Sequence, residues 1–238
     1  MKIKPHIPNL ITALNVICGC FSVFFSFKAI MTGDFTLPLY FMAAAAVFDF
    51  LDGMAARLLN AYSAMGKQLD SLADMISFGL APGAIVVALI GRTAVDVPDW
   101  LPFVGFVIPV FSAFRLAKFN IDERQTTGFL GLPTPANALF FGGLAYSYSD
   151  FFIGQPYYLI AITLIFSILL ITNIPMFSLK FKNLKLKGNE IRYIFLLCAI
   201  LLIIFLTTNA LPAIILIYIF ISMITCLKGI FTANANKK

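Results

Sequence analysis

An all-α fold that crosses the membrane eight times is what this sequence predicts, on three observations. Of its 238 residues, 61% are hydrophobic and only 12% are charged, and the mean hydropathy is +0.94, far above that of a soluble domain. The apolar residues gather in eight runs, each at or near the length at which a helix crosses a bilayer. Lysine and arginine fall between the runs, and nearly all of them on alternate connections. A single membrane domain over residues 1–238 follows, with no length left for a soluble one.

The runs lie at about 8–31, 35–59, 66–91, 100–119, 134–153, 156–178, 191–208 and 210–230. The first opens with Pro8 and Asn9, a helix-start pair with Asn9 as the expected cap, and it continues to span length, so it reads as a retained span and not a cleaved signal. Gly33 divides the first run from the second. Pro98 and Pro102 precede the fourth, Pro133 and Pro135 the fifth, Pro156 the sixth and Pro212 the eighth. Asp150, Gly154 and Pro156 make only a brief break between the fifth and sixth. Residues 179–190 read as a basic loop whose Lys180, Lys182, Lys185 and Lys187 face anionic headgroups.

With the connections assigned to alternate sides, fifteen lysines and arginines share the side of the amino terminus, against Lys28 and Arg92 on the other. Both termini are therefore expected in the cytoplasm. The basic balance, a pI near 9.2, reports topology and excludes nucleic acid as a partner. Cys18, Cys20, Cys198 and Cys226 lie in apolar runs without metal-ligand spacing and read as small hydrophobes. No internal repeat is visible, which argues against a transporter made of duplicated halves.

One stretch breaks the hydrocarbon pattern. It reads Asp49-x-x-Asp52-Gly53-x-x-Ala56-Arg57, then eight residues, then Gly66-x-x-x-Asp70-x-x-x-Asp74. Spacings of three and four put each pair of acids on one helical face, in the cytoplasmic halves of the second and third runs. An aspartate at mid-bilayer costs roughly 2.5–3.5 kcal/mol, so four of them call for cations. With no histidine or thiolate nearby, the ligand set is hard oxygen, suited to Mg²⁺ or Mn²⁺. Two divalent ions roughly neutralise four carboxylates and form the clamp used in displacement at phosphorus. Gly53, Ala56 and Gly66 keep the same surface shallow enough for a nucleotide. An ion or proton transporter would leave the spacing of glycine, alanine and arginine unexplained, and a purely structural protein would leave the acids uncompensated.

These positions resemble the signature of the CDP-alcohol phosphatidyltransferases, membrane enzymes that displace CMP from a CDP-linked lipid with an alcohol. The match holds at all eight fixed positions from Asp49 to Asp74. By that resemblance Asp49, Asp52, Asp70 and Asp74 are expected metal ligands, and Asp74 also takes the proton of the attacking hydroxyl. Asp52, Gly53, Ala56, Arg57 and Gly66 are expected to contact the CDP group, with Thr12 and Asn15 as further candidates. Ser77-Phe-Gly-Leu-Ala-Pro82, Arg115-Leu-Ala-Lys-Phe-Asn120 and Gly131-Leu-Pro-Thr-Pro-Ala136 are similar to the family's phosphatidylserine synthase branch. The resemblance covers Pro8 to about the sixth run and implies a six-helix catalytic core over 8–178, with two extra spans over 191–230.

It further implies CDP-diacylglycerol and L-serine as substrates, two divalent ions as cofactors, a homodimer among membrane lipids, and the inner (cytoplasmic) membrane of a prokaryote. Another acceptor, glycerol 3-phosphate or an inositol compound, is the alternative within the family. Arg115 and Lys118 are candidates to hold the serine carboxylate through charge-assisted bonds, and Asn120 or a backbone carbonyl near Gly131 to Pro135 is a candidate acceptor for its ammonium. A phosphorylated acceptor would favour more cations than Arg115, Lys118 and Arg124 provide.

Overall fold

The computed structural model describes residues 6–122, 129–177, 185–186 and 188–235. Arg124 and most of the basic loop at 179–190 fall outside them. Helix α1 (His6–Thr32) and helix α2 (Thr36–Leu58) form an antiparallel pair. Because α1 already begins at His6, Asn9 is not its cap: it sits in the first turn. Gly33 turns the chain between the two helices at φ +75°, and a Cβ there would stand 2.8 Å from Arg92 Nη2.

Helix α3 (Ala64–Asp74) starts where Ser63 Oγ accepts the Gly66 N–H at 2.9 Å, a side-chain cap. The helix does not stop at Asp74. It passes through a π-helical turn, Met75–Leu80, into α4 (Ala81–Gly91) as one continuous rod. Residues 81–90 of α4 are buried on every side, as an unbroken apolar run requires. Next comes a 3₁₀ turn, Leu101–Phe106, and α5 (Val107–Ile121). Gly83 and Gly105 bring α4 and this turn into backbone contact: a Cβ at either would lie 2.9 or 2.7 Å from the other's carbonyl oxygen.

A two-residue strand β1 (Phe129–Leu130) precedes α6 (Thr134–Gly154) and α7 (Pro156–Ile171). The sixth run was expected to stay helical to residue 178. It ends at Ile171, and the chain straightens into β2 (Pro175–Met176), which pairs antiparallel with β1. Pro175 and the extended Thr172 account for the early stop, since neither continues an α-helix. Helix α8 (Glu190–Leu206) and helix α9 (Ala210–Ala235) close the chain, α9 packing on α6 and β2.

Among the described residues, four helices are long and apolar enough to cross a membrane: His6–Thr32, Thr36–Leu58, Ala64–Gly91 and Leu101–Ile121. Pro156–Ile171 and Ala210–Cys226 are apolar but shorter. The protein is an all-helical, multi-pass membrane protein.

Candidate active site

The register of the first three helices builds the site. Helices α1 and α2 run antiparallel, so the Thr12 hydroxyl reaches Asp52 Oδ2 at 2.6 Å, and ten residues on Ser22 Oγ reaches the Pro38 carbonyl at 2.8 Å. Helix α3 runs parallel to α1. Asn9 lies against Gly66, and Gly19 against Ser77, whose hydroxyl donates to the Asn15 carbonyl at 3.1 Å. The two acid-bearing faces are thereby turned toward each other. Ligand oxygens of Asp49, Asp70 and Asp74 lie within 4.8 Å of one another, with Asp49 in hydrogen-bond reach of the other two.

Asp52 stands outside that trio, one turn along α2. It is 5% exposed, and Thr12 at 3% binds one of its oxygens. Within the trio, Asp74 Oδ1 is buried and has no hydrogen-bond partner. Three carboxylates this close, one with an orphaned buried oxygen, fit a hard divalent cation and little else. The residues present therefore suit the metal that the sequence implies.

Two cavities meet at the acids. The first, about 390 Å³, is lined by Asp49, Asp52, Asp70 and Asp74 with Arg57, Arg115 and the Pro133–Pro135 turn. The second, about 560 Å³, is lined by Asn9, Thr12, Ala56, Gly66 and Lys67, and shares Asp52, Gly53, Arg57 and Asp70 with the first. The two glycines act differently. A Cβ on Gly53 would meet nothing within 4 Å, so that backbone is open to a ligand, whereas one on Gly66 would press on Ser63 Oγ at 3.0 Å and Asn9 Oδ1 at 3.1 Å.

The remaining sequence candidates separate here. Arg115 is 4% exposed, lines the first cavity, holds its guanidinium 5.3 Å from the Phe119 ring centre and leaves its Nε unpartnered. Lys118 and Asn120 line neither cavity. The Lys118 ammonium is taken by Asn173 Oδ1 at 2.6 Å and the Ile171 carbonyl at 3.4 Å, at the end of α7. The Asn120 side-chain amide donates to Ser71 Oγ at 2.8 Å, and the backbone carbonyl of Asn120 accepts from Lys67 Nζ at 3.3 Å. Asn15 is fully buried with both amide atoms unpartnered and lines neither cavity, unlike Thr12 one turn before it.

Ser63, Lys67 and Thr134 were not singled out from sequence. Ser63 had a readable signal in its place three residues ahead of Gly66 at a helix start, and Thr134 in lying within the Gly131-to-Ala136 stretch already quoted.

Residues 5–178 match the family model described as CDP-alcohol phosphatidyltransferase. The chain is similar to a CDP-diacylglycerol–serine O-phosphatidyltransferase of Bacillus subtilis, 33% identical over 148 residues, which cover 60% of this chain and 77% of the relative. Proteins of the same name from Saccharomyces cerevisiae and Helicobacter pylori are 38% identical over 156 residues and 35% identical over 134. The aligned stretches cover 59% and 56% of this chain and 54% of each of those relatives, so the chain spans about half their length. The matched region contains all four aspartates, both cavities and the helices that orient them, and this chain belongs to the CDP-alcohol phosphatidyltransferase family.

Proposed function

We propose that this protein is a phosphatidylserine synthase, transferring the phosphatidyl group of CDP-diacylglycerol to the hydroxyl of L-serine. The observation that carries the reading is the pair of cavities joined at one acid cluster. The second cavity, with open backbone at Gly53 and the cations Arg57 and Lys67, suits a nucleoside diphosphate. The first, with the buried Arg115, suits a small acceptor bearing one carboxylate. Among the described residues its cations are Arg57 and Arg115, since Lys118 is engaged at the end of α7. That favours serine over a phosphorylated alcohol, and the names of the relatives agree.

In the reaction Asp74 accepts the serine hydroxyl proton. The serine oxygen bonds to the phosphorus that carries diacylglycerol, the bond from that phosphorus to the bridging oxygen breaks, and the electron pair leaves with CMP. Asp49, Asp70 and Asp74, joined by Asp52, would hold two divalent ions, Mg²⁺ or Mn²⁺, which supply charge stabilisation to the pyrophosphate oxygens. Asp52, Gly53, Ala56, Arg57 and Gly66 orient the nucleotide, with Thr12 fixing Asp52. Arg115 orients the acceptor, and position more than basicity makes Asp74 effective.

The topology proposed with this function has eight spans: a core over 8–178, a cytoplasmic loop over 179–190 and two further spans over 191–230. Both termini lie in the cytoplasm of a prokaryotic cell, the site opens inward, and the protein works as a homodimer in the lipid bilayer. Purified protein given CDP-diacylglycerol, Mg²⁺ or Mn²⁺ and a panel of alcohols should release CMP and form phosphatidylserine with serine. Turnover with glycerol 3-phosphate or inositol and none with serine would replace the acceptor.

A further inference from the structure

Helices α8 and α9 lie beyond the matched residues 5–178, yet α9 packs on α6 and on β2. Tyr218, 6% exposed, donates its hydroxyl to the Phe177 carbonyl at 3.0 Å. Its ring lies 4.9 Å from that of Phe177 and 5.9 Å from that of Phe195 on α8. Phe177 directly follows β2. From there the links are short: Met176 pairs with Phe129 and Pro175 with Leu130, the Gly131 N–H donates to the Ile174 carbonyl at 2.9 Å, and the Leu132 N–H to the Leu169 carbonyl at 2.9 Å. The next three residues, Pro133, Thr134 and Pro135, line the cavity that holds Arg115. Tyr218 is also within electrostatic reach of the Arg115 guanidinium.

A two-residue ladder is too short to hold itself, so its outer end needs an anchor. A buried tyrosine hydroxyl that satisfies a carbonyl just past the strand is such an anchor. We infer that Tyr218 is a positioning residue for the acceptor cavity: through Phe177 and the β1–β2 clip it fixes the Pro133–Pro135 wall of the cavity that Arg115 also lines. The two terminal helices then serve acceptor binding and leave the nucleotide side alone. This inference rests on the proposed serine-dependent reaction.

The test is Tyr218→Phe in the full-length enzyme, which removes one hydroxyl and keeps the ring. CMP release is followed against serine and, separately, against CDP-diacylglycerol. The expected result is a serine KM raised about three- to tenfold, the range of one lost hydrogen bond, with the CDP-diacylglycerol KM unchanged. A merely structural role would lower the amount of folded enzyme and move neither KM. If Tyr218→Phe does not fold, Phe195→Leu decides, since it loosens the same ring cluster and should raise the serine KM in the same sense. A wild-type enzyme that ignores serine overturns the acceptor reading. A serine-dependent wild type whose folded variant keeps its serine KM overturns the role of Tyr218 alone.

Discussion

Asp49, Asp70 and Asp74 share one cluster, but their substitutions should have different consequences. Asp49→Asn or Asp70→Asn removes a ligand oxygen, so the affinity for Mn²⁺, measured on the protein without substrate, should fall together with turnover. Asp74→Asn should keep much of the CDP-diacylglycerol binding while CMP release drops by about 10²–10⁴-fold, the range for loss of a general base. Near-normal turnover in Asp74→Asn would remove it as the proton acceptor. The two basic residues of α5 divide in the same way. Arg115→Gln empties the cavity of a buried cation and should raise the serine requirement, whereas Lys118→Gln affects only the end of α7 and should leave serine kinetics as they are. Equal serine effects from both would contradict the placement of Lys118. At this scale the sequence displayed the acids plainly, because carboxylates in an apolar run have few other uses. It could not separate Arg115 from Lys118. Three residues apart on a helix they look equivalent, and only the position of Asn173 beyond α7 decides which one faces the site.

Cations recur at the carboxyl ends of helices, where the last carbonyls lack partners and the helix dipole is negative. Arg92 Nη1 donates to the Ala29 and Ile30 carbonyls of α1 at 3.1 and 2.8 Å, Lys67 binds the Asn120 carbonyl in the last turn of α5, and Lys118 binds that of Ile171. The Thr93 hydroxyl gives the same service to the Ile153 carbonyl near the end of α6, at 2.7 Å. In the sequence Arg92 read as a topology marker, and the structure gives it a second use as a cap. Arg92→Ala should therefore lower unfolding stability by about 1–2 kcal/mol, as read from a melting shift, with both substrate KM values unchanged. An altered KM would mean that strain at the α1–α2 turn reaches the site. The short β1–β2 clip was invisible beforehand for a related reason. Two-residue strands carry no periodicity, and residues 172–176 continue an apolar run that reads as helix until Pro175 is weighed against its neighbours.

Across the whole molecule, hydropathy gave the helices their approximate places and the positive residues their expected sides. A cysteine introduced near Asp96 should be labelled from outside intact cells, and one at Lys185 only by reagents that reach the cytosol; the reverse pattern would turn the site outward. Hydropathy could not register the π-helical turn at Met75–Leu80, since one extra residue per turn changes no composition. That turn follows Asp74 directly, and it sets how this protein can change over evolutionary time. Winding the same six residues as ordinary α-helix, with none removed, would keep every aspartate and every span but rotate everything beyond by about 100°. Gly83 would then swing away from Gly105, and a bulkier neighbour would be driven into the backbone contact that joins α4 to the next segment. The chain can drift freely in the identity of its lipid-facing side chains, but between Asp74 and Gly83 the number of residues and the winding of the helix can change only together, a constraint that no hydropathy profile records.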